Sequence, residues 1–197
     1  MPAKPVLLLD VMDTLVHDPF YVEVLEFFAM DLESLFAIKS KQAWFEFERG
    51  ELDEAAMVER YFEDGRRLDL AGLRACMRAA YRWLPGIEPL LIELRAAGVE
   101  MHALSNYPVW FELIEQELGL SRYLEWSFVS CQTGVRKPDA AAYLGAAERL
   151  AVPAGACLFV DDRAKNCAAA EAVGMPALRF TDAVELRAAL IERGVLA

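Results

Sequence analysis

The stretch Val6-Leu7-Leu8-Leu9-Asp10-Val11-Met12-Asp13-Thr14-Leu15 decides the fold. Four consecutive aliphatic residues run straight into a carboxylate, without the alternation of a half-exposed strand. An unbroken apolar run is what a strand buried on both faces of a parallel sheet requires. Outward from this stretch the same design recurs. Val99–Leu104 leads into Ser105, and Leu158–Val160 leads into Asp161. Trp126–Ser130 and Ala177–Phe180 are weaker strand candidates. Helical patterns fall between them, at Ile87–Ala97, Pro108–Leu118, Asp139–Leu150, Ala164–Val173 and Asp182–Arg193. The first opens after Pro85-Gly86 and stops at Gly98, the punctuation expected of helix ends. Strands alternating with helices predict an α/β fold, a Rossmann-like open parallel sheet with right-handed crossovers.

Residues 16–84 interrupt that alternation. They read as helices only: Tyr21–Phe28, Asp31–Ile38, Lys41–Arg49, Asp53–Phe62 and Leu70–Trp83. Asp31, Ser40, Asp53 and Asp69 stand where N-caps belong. So long a segment exceeds a simple strand-to-strand connection. It is expected to be an inserted helical cap domain, with residues 1–15 and 85–197 forming the core domain.

The chain has 197 residues, 56% of them apolar, and a formal net charge of −11. That apolar fraction suffices for one core and excludes global disorder. The negative charge opposes nucleic-acid binding, which draws on clustered Lys and Arg. No apolar stretch is long enough to span a bilayer, and Met1–Asp10 makes a poor signal peptide. Cys76, Cys131, Cys157 and Cys167 form no CxxC or zinc spacing, so a cytoplasmic protein with four reduced thiols is expected. His17 and His102 are too few and too scattered for a metal or triad site, and His102 is expected to be a satisfied core residue.

Open α/β sheets bind ligands at the carboxyl ends of their strands. That edge would carry Asp10, Asp13, Ser105, Lys137, Asp161 and Asp162. Carboxylates at close range repel one another, and a divalent cation held by few protein oxygens, such as Mg²⁺, relieves the repulsion. Lys137 supplies fixed positive charge. The Ser105 hydroxyl, followed by Asn106 and a helix starting near Pro108, could hold an anion. Pro138 is expected to keep Lys137 extended and to open the next helix. Any one of these residues alone would be an ordinary cap, turn or surface group. Their order, each after a buried strand or at a helix start, is what an ordinary role does not explain.

In that order they resemble the four motifs of the haloacid dehalogenase superfamily. Leu8–Leu15 is similar to the first, Leu104-Ser105-Asn106 to the second and Arg136-Lys137-Pro138-Asp139 to the third. Phe159-Val160-Asp161-Asp162-Arg163 with Asn166 resembles the fourth, and the helical insertion resembles the C1 cap. The resemblance implies that Asp10 is a nucleophile forming an aspartyl-phosphate. It implies Mg²⁺ held by Asp10, the Met12 carbonyl, and Asp162 or Asp161. Thr14, Ser105, Asn106 and Lys137 would bind phosphate, with Lys137 also catalytic. The implied substrate is a small phosphorylated metabolite.

Met12 departs from the pattern. The family's phosphatases carry an Asp there as general acid and base, and a thioether cannot donate a proton. Asp13 is the candidate substitute. A regular strand would turn it away from Asp10 and a local helical turn could bring it round; the alternative role for it is to stabilise the turn. The family's dehalogenases also lack that acid, which suggests a 2-haloacid dehalogenase. The retained Asp161-Asp162 pair favours metal and phosphate instead. A third reading is a catalytically weak phospholigand-binding protein. The strings Asp10–Thr14, Asp18-Pro-Phe-Tyr21, Phe45–Gly50, Asp64–Asp69 and Ser105–Pro108 resemble a plant plastid branch of the superfamily that includes flavin mononucleotide hydrolases. Ten of the chain's 21 aromatic residues lie between Phe20 and Phe62. A flat ring could therefore stack on Tyr21, Trp44, Phe45 or Tyr61. Arg74, Arg78 and Arg82 share a helix face and are expected to pair with the acidic stretch 46–64.

Overall fold

A computed structural model describes residues 4–197. Strand β1 (Val6–Leu9) is followed by five helices: α1 (Glu23–Phe28), α2 (Leu32–Ile38), α3 (Lys41–Glu48), α4 (Glu54–Arg60) and α5 (Leu70–Ala80). The chain then alternates as expected. It runs through α6 (Ile87–Ala96), β2 (Met101–Ser105), α7 (Phe111–Leu118), β3 (Glu125–Val129), α8 (Ser130–Thr133), α9 (Ala140–Arg149), β4 (Cys157–Asp161), α10 (Ala164–Ala172), β5 (Ala177–Arg179) and α11 (Ala183–Glu192). All pairings are parallel, in the order β3-β2-β1-β4-β5. The sheet therefore grows outward from β1 in both directions, and its topological switch lies between β1 and β4.

The aliphatic run of β1 explains its central place. Leu7 and Leu9 join Val160, Ala103 and the residues of α6 and α7 in one core. Val6 and Leu8 point the other way, into a second core with Phe128, Tyr143, Phe159 and Met175. Both faces of the strand are buried, as an unbroken apolar run demands.

Local chemistry starts the inserted helices. The side chains of Asp31, Ser40, Asp53 and Asp69 accept hydrogen bonds from the backbone N–H groups of Ser34, Ala43, Ala56 and Gly72. Each satisfies a donor that the helix cannot. The buried residues Val24, Leu35, Phe47, Met57, Leu73 and Met77 of these helices join the same core as one face of the sheet. The two chain crossings between insertion and sheet are bonded to one another. Leu84 N–H donates to the Leu15 carbonyl at 2.9 Å and His17 N–H to the Arg82 carbonyl at 3.0 Å. Gly50, at φ +70°, packs so closely on α8 that a Cβ there would run into the Cys131 carbonyl oxygen.

Four local expectations need correction. Helix α7 starts at Phe111, three residues after Pro108, because Pro108 opens a turn that Phe111 N–H closes. Helix α9 starts at Ala140 after the Asp139 cap, and the Lys137-Pro138 peptide is cis. The short α8 was not expected. Of Arg74, Arg78 and Arg82, the last of which lies just beyond α5, only Arg74 pairs within the acidic stretch, with Glu54; Arg78 reaches Glu117 on α7 and Arg82 reaches Glu23. His102 is satisfied by Ser127 and Glu100, and the four cysteines are free. Among the described residues no helix is long and apolar enough to cross a membrane.

Candidate active site

At the switch point the last residues of two neighbouring strands meet. Asp10 follows β1, Asp161 ends β4, and Asp10 N–H donates to the Val160 carbonyl at 2.9 Å. Lys137 Nζ lies between them, 2.8 Å from Asp10 Oδ1 and 2.7 Å from Asp161 Oδ2. All three are buried. Lys137 comes from the loop between α8 and α9, and Asn106 fixes that loop at the end of β2. The Asn106 amide donates to the Lys137 carbonyl and its oxygen accepts from Lys137 N–H, both at 2.8 Å.

The three carboxylates differ in what holds them. Asp161 is saturated by Lys137, by Arg163 N–H at 2.8 Å and by the Asn166 amide at 2.9 Å. Asp10 Oδ1 accepts from Val11 N–H at 2.8 Å as well as from Lys137. Asp10 Oδ2 has no bonded partner among the described residues. Asp162 Oδ1 is buried and has no hydrogen-bond partner among the described residues. One oxygen from each of Asp10, Asp161 and Asp162 lies within 4.8 Å of the others. Burial pushes the Asp10 carboxyl up to about 7; Asp161 adds to the rise and Lys137 opposes it. Burial, and then Asp161, also raise Asp162. Lys137 thus serves Asp10 and Asp161, Arg163 Nε lies 4.0 Å from Asp162 Oδ2, and three carboxylates face two cations, so the site is short of positive charge.

Above them opens a cavity of about 420 Å³. Asp10, Met12, Ser105, Asn106, Lys137 and Arg163 line its sheet side. The insertion supplies the other side, with Phe20, Tyr21, Trp44, Phe45 and Tyr61. All four rings singled out for stacking therefore reach the cavity. Trp44 packs edge-on to Trp110 and Phe47, so part of this aromatic content is also packing.

Thr14 and Asp13 do not line the cavity. The Thr14 hydroxyl accepts from Asp162 N–H at 3.1 Å and so ties the first loop to the β4 loop. Asp13 has left-handed backbone geometry, with φ 54°, and its carboxylate accepts from Asp18 N–H at 3.1 Å. The local turn that could have brought Asp13 toward Asp10 instead engages it with the loop backbone. The anion cradle after Ser105 is also altered. Helix α7 starts too late to offer its amides, and Tyr107 N–H is taken by Ser130 Oγ at 3.0 Å. Ser105 itself remains at the cavity wall.

Several residues of the wall escaped sequence reasoning. Asp18 Oδ1 accepts from Phe20 N–H at 3.0 Å, and burial pushes its carboxyl up to about 6. Glu48 on α3 accepts from Trp44 Nε1 at 2.7 Å and pairs with Arg136, which stacks 4.0 Å from the Phe45 ring centroid. Lys39, buried on the insertion side, is surrounded by rings, and burial brings its ammonium down to about 8. Asp18, Glu48 and Arg136 lie within stretches that carry the family resemblance, whereas Lys39 lies in none of them. Lys39 meets Phe20, Trp44 and Tyr61 through tertiary packing of separate elements.

A five-stranded parallel sheet with Asp10, Lys137 and the Asp161-Asp162 pair gathered at its switch point is the architecture of the haloacid dehalogenase-like hydrolases. The chain belongs to that family, whose pattern matches residues 6–174. Among curated proteins it is 45% identical to chloroplastic flavin mononucleotide hydrolase 1 of Arabidopsis thaliana, over 97% of this chain and 78% of the relative. It is 30% identical to a sesquiterpene phosphatase of Aspergillus oryzae, over 79% of this chain and 81% of the relative. Among solved structures, a haloacid dehalogenase-family enzyme of Bacteroides thetaiotaomicron, crystallised with magnesium and inorganic phosphate, superposes with a TM-score of 0.73. It is 18% identical and the match covers 93% of this chain and 99% of that one, so it supports the shared fold.

Proposed function

We propose that the protein is a Mg²⁺-dependent phosphatase of small phosphate monoesters, with flavin mononucleotide as its substrate. Residues 16–84 act as the cap over a core of residues 1–15 and 85–197. The observation that carries this reading is the charge shortage beneath the cavity, with one buried Asp162 oxygen left unpartnered beside Asp10. That donor set suits a hard divalent cation. Asp10, the Met12 carbonyl and Asp162 would hold Mg²⁺, while Asp161 is already occupied in positioning Lys137. The bound cation supplies the positive charge that lets one anion approach another.

The chain's own residues carry the remaining chemistry. Lys137 and Val11 N–H fix Asp10 Oδ1, leaving Oδ2 for in-line attack on phosphorus. The bond from phosphorus to the leaving oxygen breaks, and an aspartyl-phosphate forms on Asp10. The leaving oxygen needs a proton that Met12 cannot give. Asp18 is assigned that role in place of Asp13, because it lines the cavity and burial keeps its carboxyl protonatable near neutrality. Water then attacks the phosphoryl group, the Asp18 carboxylate takes its proton, and phosphate and Asp10 are released. Ser105 binds phosphate at the wall, and Asn106 positions Lys137. Met12 is shared with the dehalogenase reading, but that chemistry has no use for the unpartnered Asp162 oxygen.

Phosphate release from flavin mononucleotide and a panel of monoesters, with and without Mg²⁺, tests the proposal, with Asp10→Asn as control. Mg²⁺-dependent release from flavin mononucleotide is expected. Chloride release from a 2-haloacid without metal would replace this reading with the dehalogenase.

A further inference from the structure

The ammonium of Lys39 feels the charge of Glu48 but makes no ion pair or hydrogen bond among the described residues. Its side chain comes from the turn between α2 and α3, where the backbone is held on both sides. Lys39 N–H donates to the Leu35 carbonyl at 2.8 Å, and Ser40 N–H donates to the Tyr61 carbonyl at 2.8 Å. An isolated bridge pairs Lys39 with Phe62. The residue is only 7% exposed. Its Nζ stands 4.5 Å from the Trp44 ring centroid, 5.3 Å from that of Tyr61 and 5.7 Å from that of Phe20. The nearby carboxylate, Glu48, is engaged by Trp44 Nε1 and by Arg136. Among the described residues Lys39 Nζ has neither an ion-pair nor a hydrogen-bond partner.

Ring faces attract a cation but accept none of its hydrogen bonds. An ammonium has three N–H donors, and a ligand that displaces their water without replacing it incurs a high cost. The open side of this site is the cavity, whose wall Lys39 forms together with the same three rings. A group entering between those rings meets the ammonium at its edge. An aliphatic chain there would strip away what hydration the ammonium retains and return nothing. A flat ring with carbonyl oxygens on its rim would stack on the aromatic side chains and supply the missing acceptor.

We propose that Lys39 is a specificity-determining residue that reads a carbonyl or imide oxygen on the ring end of the substrate, and that it selects polar aromatic monoesters over aliphatic ones. The inference rests on the phosphatase reading for the substrate's orientation, with phosphate at Lys137 and ring at Lys39. Nothing in the reaction at Asp10 requires Lys39, so its effect falls on binding of the ring.

Riboflavin tests this, because it carries the ring and no phosphate. Its binding to the Mg²⁺-loaded protein can be followed by quenching of its fluorescence. Lys39→Met should weaken riboflavin binding at least tenfold, the loss expected of a charged hydrogen bond. Turnover of phenyl phosphate, which has no acceptor on its ring, should stay within about twofold of wild type. Turnover of farnesyl phosphate should rise relative to flavin mononucleotide. Unchanged riboflavin affinity in Lys39→Met would overturn the inference. Should that variant fail to fold, the wild-type protein decides. It should bind riboflavin at least tenfold more tightly than phenazine, a three-ring aromatic without carbonyls, and equal affinity would overturn the inference. If the wild type binds riboflavin through Lys39 but releases no phosphate from flavin mononucleotide, the functional reading fails and the ring subsite stands.

Discussion

The two sides of the cavity treat charge in opposite ways. On the sheet side, Lys137 lies within 2.8 Å of two carboxylates and the cluster lacks positive charge. On the insertion side, Lys39 has rings for neighbours and lacks an acceptor. In the proposed reading one side is completed by a cation and a phosphate, the other by an oxygen on a flat ring. A buried charge is tolerable when its partners are supplied. Here the protein supplies most of them beside β1 and, in the proposed reading, leaves the rest to the ligand on the insertion side.

Substitutions on the sheet side should have the largest effects. Asp10→Asn removes the attacking oxygen, and phosphate release should fall roughly 10⁴-fold or more. A residual rate within tenfold of wild type would show that Asp10 is not the nucleophile. Lys137→Met leaves Asp10 and Asp161 facing one another unscreened. It should lower kcat by about 10²–10³-fold and destabilise the fold by ~3–5 kcal/mol, read from the urea midpoint. A destabilisation below ~1 kcal/mol would break the picture of a buried network held by that ammonium.

Asp18 lies between the extremes and couples turnover to stability. Its carboxyl is raised from 3.8 to about 6 in the folded protein, so the folded state favours the proton. The resulting penalty is absent below the unfolded value, grows as pH rises between the two, and is complete above about 6. Asp18→Asn should therefore stabilise the protein by ~2–3 kcal/mol at pH 7.5, with the gain shrinking toward pH 4. The same change should reduce kcat by about 10²-fold. Loss of activity without the pH-dependent gain would point to a structural defect.

Lys39 has the opposite sign. Burial lowers it from 10.5 to about 8, so the unfolded chain binds the proton more readily. Lys39→Met should stabilise the protein by ~2–3 kcal/mol below pH 8. That advantage should vanish as pH rises toward 10.5. The smallest effect belongs to Asp13→Asn, which keeps an oxygen to accept from Asp18 N–H. Turnover should remain within about threefold, and a loss of 10²-fold would return the acid's role to Asp13.

What the sequence revealed followed the range of the interactions. Val6–Leu9 announced a doubly buried strand because burial on both faces needs an unbroken apolar run. Asp31, Ser40, Asp53 and Asp69 announced helix starts because a cap bonds only two or three residues ahead. Asp10, Lys137, Asp161 and Asp162 were legible through their order along strand ends, and they do converge. The start of α7 was misplaced because Pro108 suits a turn as well as a first helical residue. Lys39 left no local trace, since its surroundings are assembled from rings on separate elements. Arg78 and Arg82 chose partners on other elements for the same reason, which no periodicity encodes.

The bonded crossings at Leu15–Leu84 and His17–Arg82 make the junction a two-stranded ribbon rather than two independent threads. Such a ribbon flexes across its flat face and resists sliding edge to edge. Were the helices to swing, they would pivot as one leaf on a single axis. Lys39 would travel toward or away from Lys137 along a fixed arc, and the span between the two ammonium groups would act as a gauge of ligand length.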